Sequence, residues 1–470
     1  ACAASEVRIG ALFPIFKTQA AGYGLDLSGV RRFSSFYLAI QEINNKSDGV
    51  ADHLLPGTNL SFALRDSKRS SGEAFFGSLE LATEAFGNQG VSAIIGAASS
   101  SPTSSVALVA AQFQIPQISY SATSPLLSDG KQYPYFMRTP PSDAFEAEGI
   151  AEVLRNLLNF TVVGTMNSDD NYGIGGAEAF RHSAFACGIQ IIVSITFFNQ
   201  RDFTSEVNEL ERSDARVIVL FAQAGDVGLF MRTAFEAGVG GPGFLWFGGN
   251  APTNSDTWLS DVGGMKDNPT LRLDVMKGYL GMTPSRGVGS AAYLQYLARL
   301  SALGGRGGTN STDCNLETDH DGNYIWAQDH DGNSSTRLAC SGNDNQEDDS
   351  WAPFAYDAVY ALAHALHELI EVQGKTTIVG TELLEIMVTN VSFTGVTGMI
   401  DFFDASDHRD KLYHGDRRVG VAYDVFNYQA NDAPLAHVGR WVPGGGTWAA
   451  RWDDVDSHSS LYVPIRYSTV

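Results

Sequence analysis

The segment that most restricts the fold is residues 91–125, where a strand, a helix and a second strand follow one another closely. Val91–Gly96 is a short apolar run that ends in glycine, which is typical of a strand buried in a parallel sheet. The helix is predicted to run to about Gln112, and Ile115–Tyr120 is predicted as the next strand. This order predicts two neighbouring parallel strands joined by a crossover helix.

Polar, hydroxyl-rich loops follow both of these strands. Ala97–Ser101 follows the first strand and Ser121–Thr123 follows the second, so both loops are expected at the same carboxyl edge, where open α/β sheets bind ligands. Pro102 fits the first helical turn, which makes Ser101 the candidate N-cap. Free N–H groups at a helix start, with hydroxyls beside them, suit a small anion such as a carboxylate. The alternative is that these serines and threonines are ordinary turn residues.

The alternation of buried strands and amphipathic helices continues along most of the chain and is interrupted at residues 133–143. We therefore predict an α/β fold with two doubly wound lobes, whose carboxyl-edge loops are expected to face a cleft between them. The strands predicted on the two sides of the interruption cover residues 7–13, 59–66, 91–96, 115–120, 161–166, 189–197, 215–221 and 244–247.

Size and charge restrict the class of partner. The chain has 470 residues, and 44% of them are apolar. A chain of this length is too long for one compact core. A net charge of −22 argues against nucleic acid or an anionic membrane as the main partner. No run approaches the roughly 18–20 apolar residues that a membrane helix requires. The first residues, ACAASEVRIGALF, are not an intact signal peptide but are compatible with a processed N-terminus.

Several features favour an extracellular chain. Cys314 and Cys340 flank one polar loop, and we predict a disulfide between them. Cys187 is predicted to be a buried thiol. Five glycosylation sequons lie at Asn59, Asn159, Asn310, Asn333 and Asn390.

No motif predicts a cofactor, a metal site or an enzyme. DHDGN occurs twice, at residues 319–323 and 329–333, but the order of an EF-hand is not met; a solvated acidic loop is our interpretation and calcium binding the alternative. His364 and His367 are three apart on a predicted helix, where packed or surface histidines are favoured over a zinc pair. There is no G-x-S-x-G elbow and no H-E-x-x-H helix.

One set of motifs carries a resemblance to a known family. The chain resembles the extracellular ligand-binding domain of class C G-protein-coupled receptors, such as the metabotropic glutamate and calcium-sensing receptors. That fold is a two-lobed clamshell, the Venus-flytrap module of periplasmic-binding-protein type I. The carrying motifs are IGALF at 9–13, AIQEIN at 39–44, LRDS at 64–67, SSS at 99–101, FQIPQISYSATSPLLSD at 113–129, YPYFMRTPPSD at 133–143, NYG at 171–173, YDAVYALAHAL at 356–366 and FTGVTGMIDFF at 393–403.

The resemblance implies a division of the chain between lobes. Residues 1–138 and 284–427 are predicted to form lobe 1, with a polar insertion at 303–350. Residues 139–283 are predicted to form lobe 2, to which residues 428–470 return as a C-terminal tail.

The resemblance also implies roles for individual residues. Ser100 would bind the α-carboxylate of an amino acid, and Thr123 its α-amino group, with Ser121 and Ala122 in adjacent contacts. Asp143 would lie near the ammonium, and Tyr172 would cover the ligand from the second lobe.

Departures from the family pattern leave the ligand open. Where glutamate-sensing members carry a second-lobe aspartate, this chain has Gly249 and Asn250, which predicts weaker attraction for an ammonium or a different ligand. No secure match exists for the basic residues that hold a distal acidic group, so glutamate is not implied.

We therefore predict an extracellular, secreted or receptor-ectodomain module, not an enzyme, that binds an amino acid or similar small zwitterion between two lobes and signals by closure. A homo- or heterodimer through lobe 1 is expected, with residues 30–45 and 103–112 as candidates. The alternative is a structural or adhesive module that kept the fold and binds protein partners.

Overall fold

The computed structural model describes residues 5–16, 24, 26–83, 90–198, 202–240, 243–249, 269–304, 349–402, 415–417, 419–428 and 435–443. The chain divides into two compact units, each assembled from separate stretches of sequence. The first unit comprises residues 1–122, 130–140 and 286–420, and the second comprises residues 123–129, 141–285 and 421–470.

The described strands and helices alternate along most of the chain. The strands are β1 Ser5–Phe13, β2 Thr58–Asp66, β3 Ile94–Ile95, β4 Gln117–Ser119, β5 Phe136–Arg138, β6 Val162–Ser168, β7 Gln190–Phe197, β8 Val217–Phe221, β9 Leu245–Gly248, β10 Leu280–Pro284, β11 Ser392–Gly395, β12 Gly398–Asp401, β13 Tyr423–Tyr428 and β14 Leu435–Trp441. The α-helices are α1 Leu27–Asn44, α2 Ser71–Ala82, α3 Ser100–Phe113, α4 Asp143–Glu152, α5 Asn171–Ala186, α6 Thr204–Arg212, α7 Ala224–Glu236, α8 Pro269–Met276, α9 Ala291–Gly304, α10 Ala352–His367 and α11 Gly380–Thr389.

The first unit is built on a five-stranded sheet in the order β2-β1-β3-β4-β5, with every neighbouring pair parallel. Because successive side chains of a strand point to opposite faces, β1 contributes side chains to two hydrophobic cores. Ile9, Ala11 and Phe13 pack with α1 and α10, whereas Leu12 packs with α2 and α3. Helices therefore cover both faces, as a parallel sheet requires.

The second unit is built on a seven-stranded sheet in the order β14-β13-β10-β9-β8-β6-β7. The strands from β6 to β10 pair in parallel, while β13 runs antiparallel to both β10 and β14. One face packs against α4 and α5, and the other packs against α6, α7 and α8. The last two strands extend this sheet from residues that lie far along the chain.

The predicted α/β class with two doubly wound lobes is confirmed by these two layered units. Some bounds differ from those predicted. The strand expected over Val91–Gly96 pairs only at Ile94 and Ile95, and helix α4 continues as a π-helix at Val153–Leu157. No helix in the described ranges is long and apolar enough to cross a membrane.

Candidate functional site

Two polar loops meet at the carboxyl edge of the first unit's sheet, as the sequence predicted. Strands β3 and β4 are parallel neighbours, with Ile95 opposite Ile118. The Ser121 hydroxyl donates to the carbonyl oxygen of Ala98, which joins the loop after β4 to the loop after β3. The two loops therefore form one continuous polar edge.

Ser119, the last residue of β4, holds this polar edge together through its hydroxyl. Its hydroxyl donates to the Ala97 carbonyl oxygen at 2.7 Å and accepts the N–H groups of Ser121 and Ala122, at 3.3 and 3.0 Å. One buried hydroxyl thus fixes both loops. This arrangement leaves the side chains that follow Ser119 in defined positions.

The predicted N-cap at Ser101 is wrong. Helix α3 begins at Ser100, so Ser99 is the N-cap, and its side chain makes no capping hydrogen bond. Ser99 keeps extended backbone angles, whereas Ser100 and Ser101 are already helical and Pro102 completes the first turn. Three consecutive serines have the same capping preference, so residue type could not choose among them. Ser100 is buried, and its carbonyl oxygen accepts from the Ser104 hydroxyl at 3.0 Å.

The second unit holds Thr123, Asp143 and Tyr172. Asp143 opens α4, and its N–H donates to the Thr123 carbonyl oxygen at 2.8 Å. The Ser142 side chain caps the same helix by accepting from the N–H of Ala144. Because Thr123 and Asp143 are joined through the backbone, the start of α4 is fixed to the segment that carries Thr123.

Tyr172 lies in the first turn of α5 and is almost fully buried. The Asp170 carboxylate caps this helix by accepting from the Gly173 N–H at 2.8 Å. Burial, followed by the charges of Glu146 and Asp143, raises the pKa of Tyr172 well above its usual value. The tyrosine therefore stays neutral and lies beside acidic groups.

Two further residues of this region were missed by the sequence analysis, namely Glu146 and Tyr279. Glu146 follows Asp143 by three positions on α4, and both side chains are 0% exposed. Burial and the charge of Glu146 raise the pKa of Tyr279, which is 1% exposed. The sequence signal for Glu146 was its position one turn after Asp143 on the buried side of α4, where a charged residue is rare. Nothing in sequence links Tyr279 to them.

Several predicted residues lie outside the described ranges, namely Asn250, Cys314, Cys340, Asn310 and Asn333. The other three sequon asparagines, Asn59, Asn159 and Asn390, are exposed. Their exposure is compatible with glycosylation at those positions.

The histidines of α10 are packing residues in the described structure. His364 stacks on Phe393 with ring centroids 4.7 Å apart, and burial together with His53 and His367 lowers its pKa to about 4. His367 accepts from the N–H of Leu55 at 3.1 Å. Among the described residues, no group of three or more His, Cys, Asp or Glu side chains could hold a metal ion.

Cys187 has an unpaired thiol and is half-buried rather than fully buried as predicted. Burial, with Glu152 and Glu148 nearby, raises the pKa of the thiol. It therefore lacks the low pKa of a reactive cysteine.

Comparison with known proteins identifies receptors. The family described as "Receptor family ligand binding region" matches residues 31–429. Metabotropic glutamate receptor 4 of Mus musculus is 26% identical over 484 residues, covering 93% of this chain and 49% of the receptor. Metabotropic glutamate receptor 6 of Oryctolagus cuniculus is 28% identical over 498 residues, covering 96% of this chain and 54% of the receptor. The chain thus spans about half the length of the curated relatives it matches.

Proposed function

Because the chain belongs to the family of receptor ligand-binding regions, of the class C G-protein-coupled receptor type, we propose that it is an extracellular module that binds an α-amino acid or similar small zwitterion and signals by closing on it. The observation that carries the proposal is the polar edge of the first unit, where Ser119 and Ser121 join two loops. Such an edge of an open α/β sheet is where ligands bind.

The proposed roles follow the chemistry of a zwitterion. Ser100, at the start of α3, supplies a hydroxyl and helix N–H groups for the carboxylate. Thr123 contacts the α-amino group, and Asp143 neutralises it, while Tyr172 covers the ligand. Ser121 and Ala122 supply adjacent contacts, and Asn250 is proposed to contact the ligand from the second unit.

The relatives are named for glutamate, but our proposal is limited to the α-amino acid group. The sequence offers no secure match for basic residues that would hold a distal carboxylate. We propose no catalysis, in keeping with relatives that are receptors. The structural or adhesive alternative is not favoured by those relatives.

We also propose that a second copy of the chain is a partner. Helices α2 and α3 pack against each other and leave Phe76 64% exposed and Leu108 53% exposed. Large apolar side chains exposed on adjoining helices suit a protein interface. We propose that this face of the first unit contacts a second copy of the chain. Of the two segments predicted for dimerisation, 103–112 lies on this face.

The ligand proposal is tested by a thermal-shift screen against the twenty common amino acids, each beside its decarboxylated amine. A ligand that binds only the folded state stabilises it by about 2.7 kcal/mol at a hundredfold excess over Kd. We expect a saturable rise in Tm with at least one amino acid, and a much smaller rise with the matched amine, which lacks the carboxylate. Ser100→Ala with Thr123→Ala should weaken that binding at least tenfold.

The control is Ser105→Ala, which removes a half-buried hydroxyl from the same helix. It should leave the affinity unchanged. Unchanged affinity in the Ser100/Thr123 double variant would show that these residues are not the site.

A further inference from the structure

Polar side chains of the second unit converge on the end of β9, where two glycines follow each other. A Cβ added at Gly249 would lie 2.6 Å from the Oε2 of Glu146 and 2.8 Å from the hydroxyl of Tyr172. A Cβ added at Gly248 would lie 1.8 Å from the hydroxyl of Tyr279. The space that a side chain would fill at these positions is thus occupied by groups from α4, from α5 and from Tyr279, the residue before β10.

We call Asp143, Glu146, Tyr172 and Tyr279 the acidic cluster. Residues three apart on a helix share a face, so the two carboxyl groups of α4 project to the same side. Both are fully buried, and the two tyrosines are 7% and 1% exposed. Within the described part of the chain, neither tyrosine hydroxyl has a hydrogen-bond partner.

Buried hydroxyls without partners are costly and are rare in folded proteins. Two of them lie beside one carboxylate, since burial and then the charge of Glu146 raise the pKa of both Tyr172 and Tyr279. A ligand with several N–H donors and a positive charge would donate to both hydroxyls and be attracted by the neighbouring carboxylates.

We propose that Glu146 is a specificity-determining residue that binds the ammonium group of the ligand, together with Asp143 and the hydroxyls of Tyr172 and Tyr279. This inference rests on the proposed function and assigns the chemistry of its second-unit side. The site would accept primary ammonium compounds and reject analogues that lack the ammonium group, such as α-hydroxy acids.

Glu146 also changes the meaning of the departure at residues 249–250. The neutral pair Gly249-Asn250 predicted weaker attraction for an ammonium. Because Gly249 carries no side chain, the Glu146 carboxylate reaches the position next to it from α4. The negative charge is thus supplied by a helix rather than by the loop after β9.

A divalent metal ion fits the acidic cluster less well than an ammonium does. Calcium takes six to eight oxygen ligands, several of them from carboxylates. Two carboxyl groups and two neutral phenols fall short of that set, and the described residues contain no group able to hold a metal. A primary ammonium has three N–H donors, which the few acceptor groups of the acidic cluster can accept.

The test is isothermal titration of the full chain and its Glu146→Gln variant. The probes are the twenty common amino acids, L-lactate and L-phenyllactate as α-hydroxy analogues, and ethylamine and phenethylamine as primary amines. We expect Glu146→Gln to weaken amino-acid and amine binding at least tenfold, because it removes a buried charge opposite a cation. Lactate and phenyllactate should not bind more weakly to the variant.

Glu148→Gln is the matched control, since it removes the same charge from the same helix at a half-buried position outside the acidic cluster. It should bind the probes like the wild type. Gly249→Ala is a second test variant, because its Cβ must displace Glu146 and Tyr172 without changing the charge. It too should weaken amino-acid and amine binding, and it replaces Glu146→Gln if that variant does not fold.

The outcomes separate the inference from the proposed function. If amino acids bind the wild type and Glu146→Gln equally, the inference is overturned and the proposed function stands. If no amino acid binds but the amines bind in a Glu146-dependent manner, the proposed function fails and the inference stands. If neither class binds the wild type, both are overturned.

Discussion

Asp226 lies in the first turn of α7, and the folded chain disfavours the charged form of its carboxyl group. Burial, followed by the negative charges of Asp170 and Asp169, raises its pKa to about 6. The folded state therefore prefers the protonated form. This contribution to stability is fully present below the unfolded pKa of 3.8 and is lost as the pH rises through about 6.

Asp226→Asn should remove this pH dependence, because the amide keeps the shape and has no charge. We expect the Tm of the variant to match that of the wild type near pH 4 and to exceed it above pH 6. The gain should be about 1–2 kcal/mol in the free energy of unfolding. Thermal denaturation of both proteins from pH 4 to 8 measures it.

Asp202→Asn is the control, since hydrogen bonds from Thr204 lower the pKa of this exposed carboxyl group. Its effect on Tm should have the opposite sign and appear as the pH rises. A destabilisation of Asp226→Asn that is the same at every pH would contradict the assignment.

Among the elements, the hairpin of β11 and β12 shows how one buried charge joins two pieces of the first unit. Asp357 of α10 accepts the N–H groups of Val396 and Thr397, both at 2.8 Å, and the Thr397 hydroxyl at 2.6 Å. Burial nevertheless raises the pKa of Asp357. The carboxylate is held in place, so the turn of the hairpin is held with it.

Gly395→Ala should break this junction. The new Cβ would lie 2.5–2.7 Å from the carboxyl atoms of Asp357, which cannot move without losing the hydrogen bonds just described. We expect a loss of about 1–3 kcal/mol in the free energy of unfolding, measured by urea denaturation.

Gly72→Ala is the matched control, because its Cβ would meet only the Ser70 hydroxyl at 3.8 Å, in the first turn of α2. That substitution should be neutral or stabilising by up to about 1 kcal/mol. Equal stability of the two variants would mean that the hairpin accommodates a side chain at 395.

The order of strands and helices was predictable because each type of element has its own spacing of apolar residues in the sequence. The meeting of the loops that carry Ser100 and Ser121 followed from that order, since parallel strands bring their carboxyl ends together. Tyr279 could not be found this way, because it joins Glu146 through tertiary packing across more than a hundred residues. The N-cap of α3 was missed because only backbone angles distinguish Ser99 from its neighbours.

For the molecule as a whole, the proposed contact between two copies depends on the exposed apolar face of α2 and α3. Phe76→Asp combined with Leu108→Asp should weaken dimerisation at least tenfold, because each carboxylate would lose its hydration in the interface. Sedimentation velocity over a range of micromolar concentrations measures the dissociation constant.

Phe185→Asp is the control, since Phe185 is 87% exposed on α5 in the second unit. It should leave the sedimentation of the chain unchanged. A wild type that remains monomeric at all these concentrations would rule out the second copy as the partner of this face.

The packing of α1 against α10 has a consequence for how the chain is made. Their side chains share one core, yet α10 begins roughly 300 residues after α1 ends. At about 5–20 residues per second, α1 leaves the ribosome about 15–60 s before its packing partner is synthesised. During that time the side chains of α1 lack the part of their shared core that α10 supplies. The first unit is therefore completed late in translation, after α10 has been synthesised.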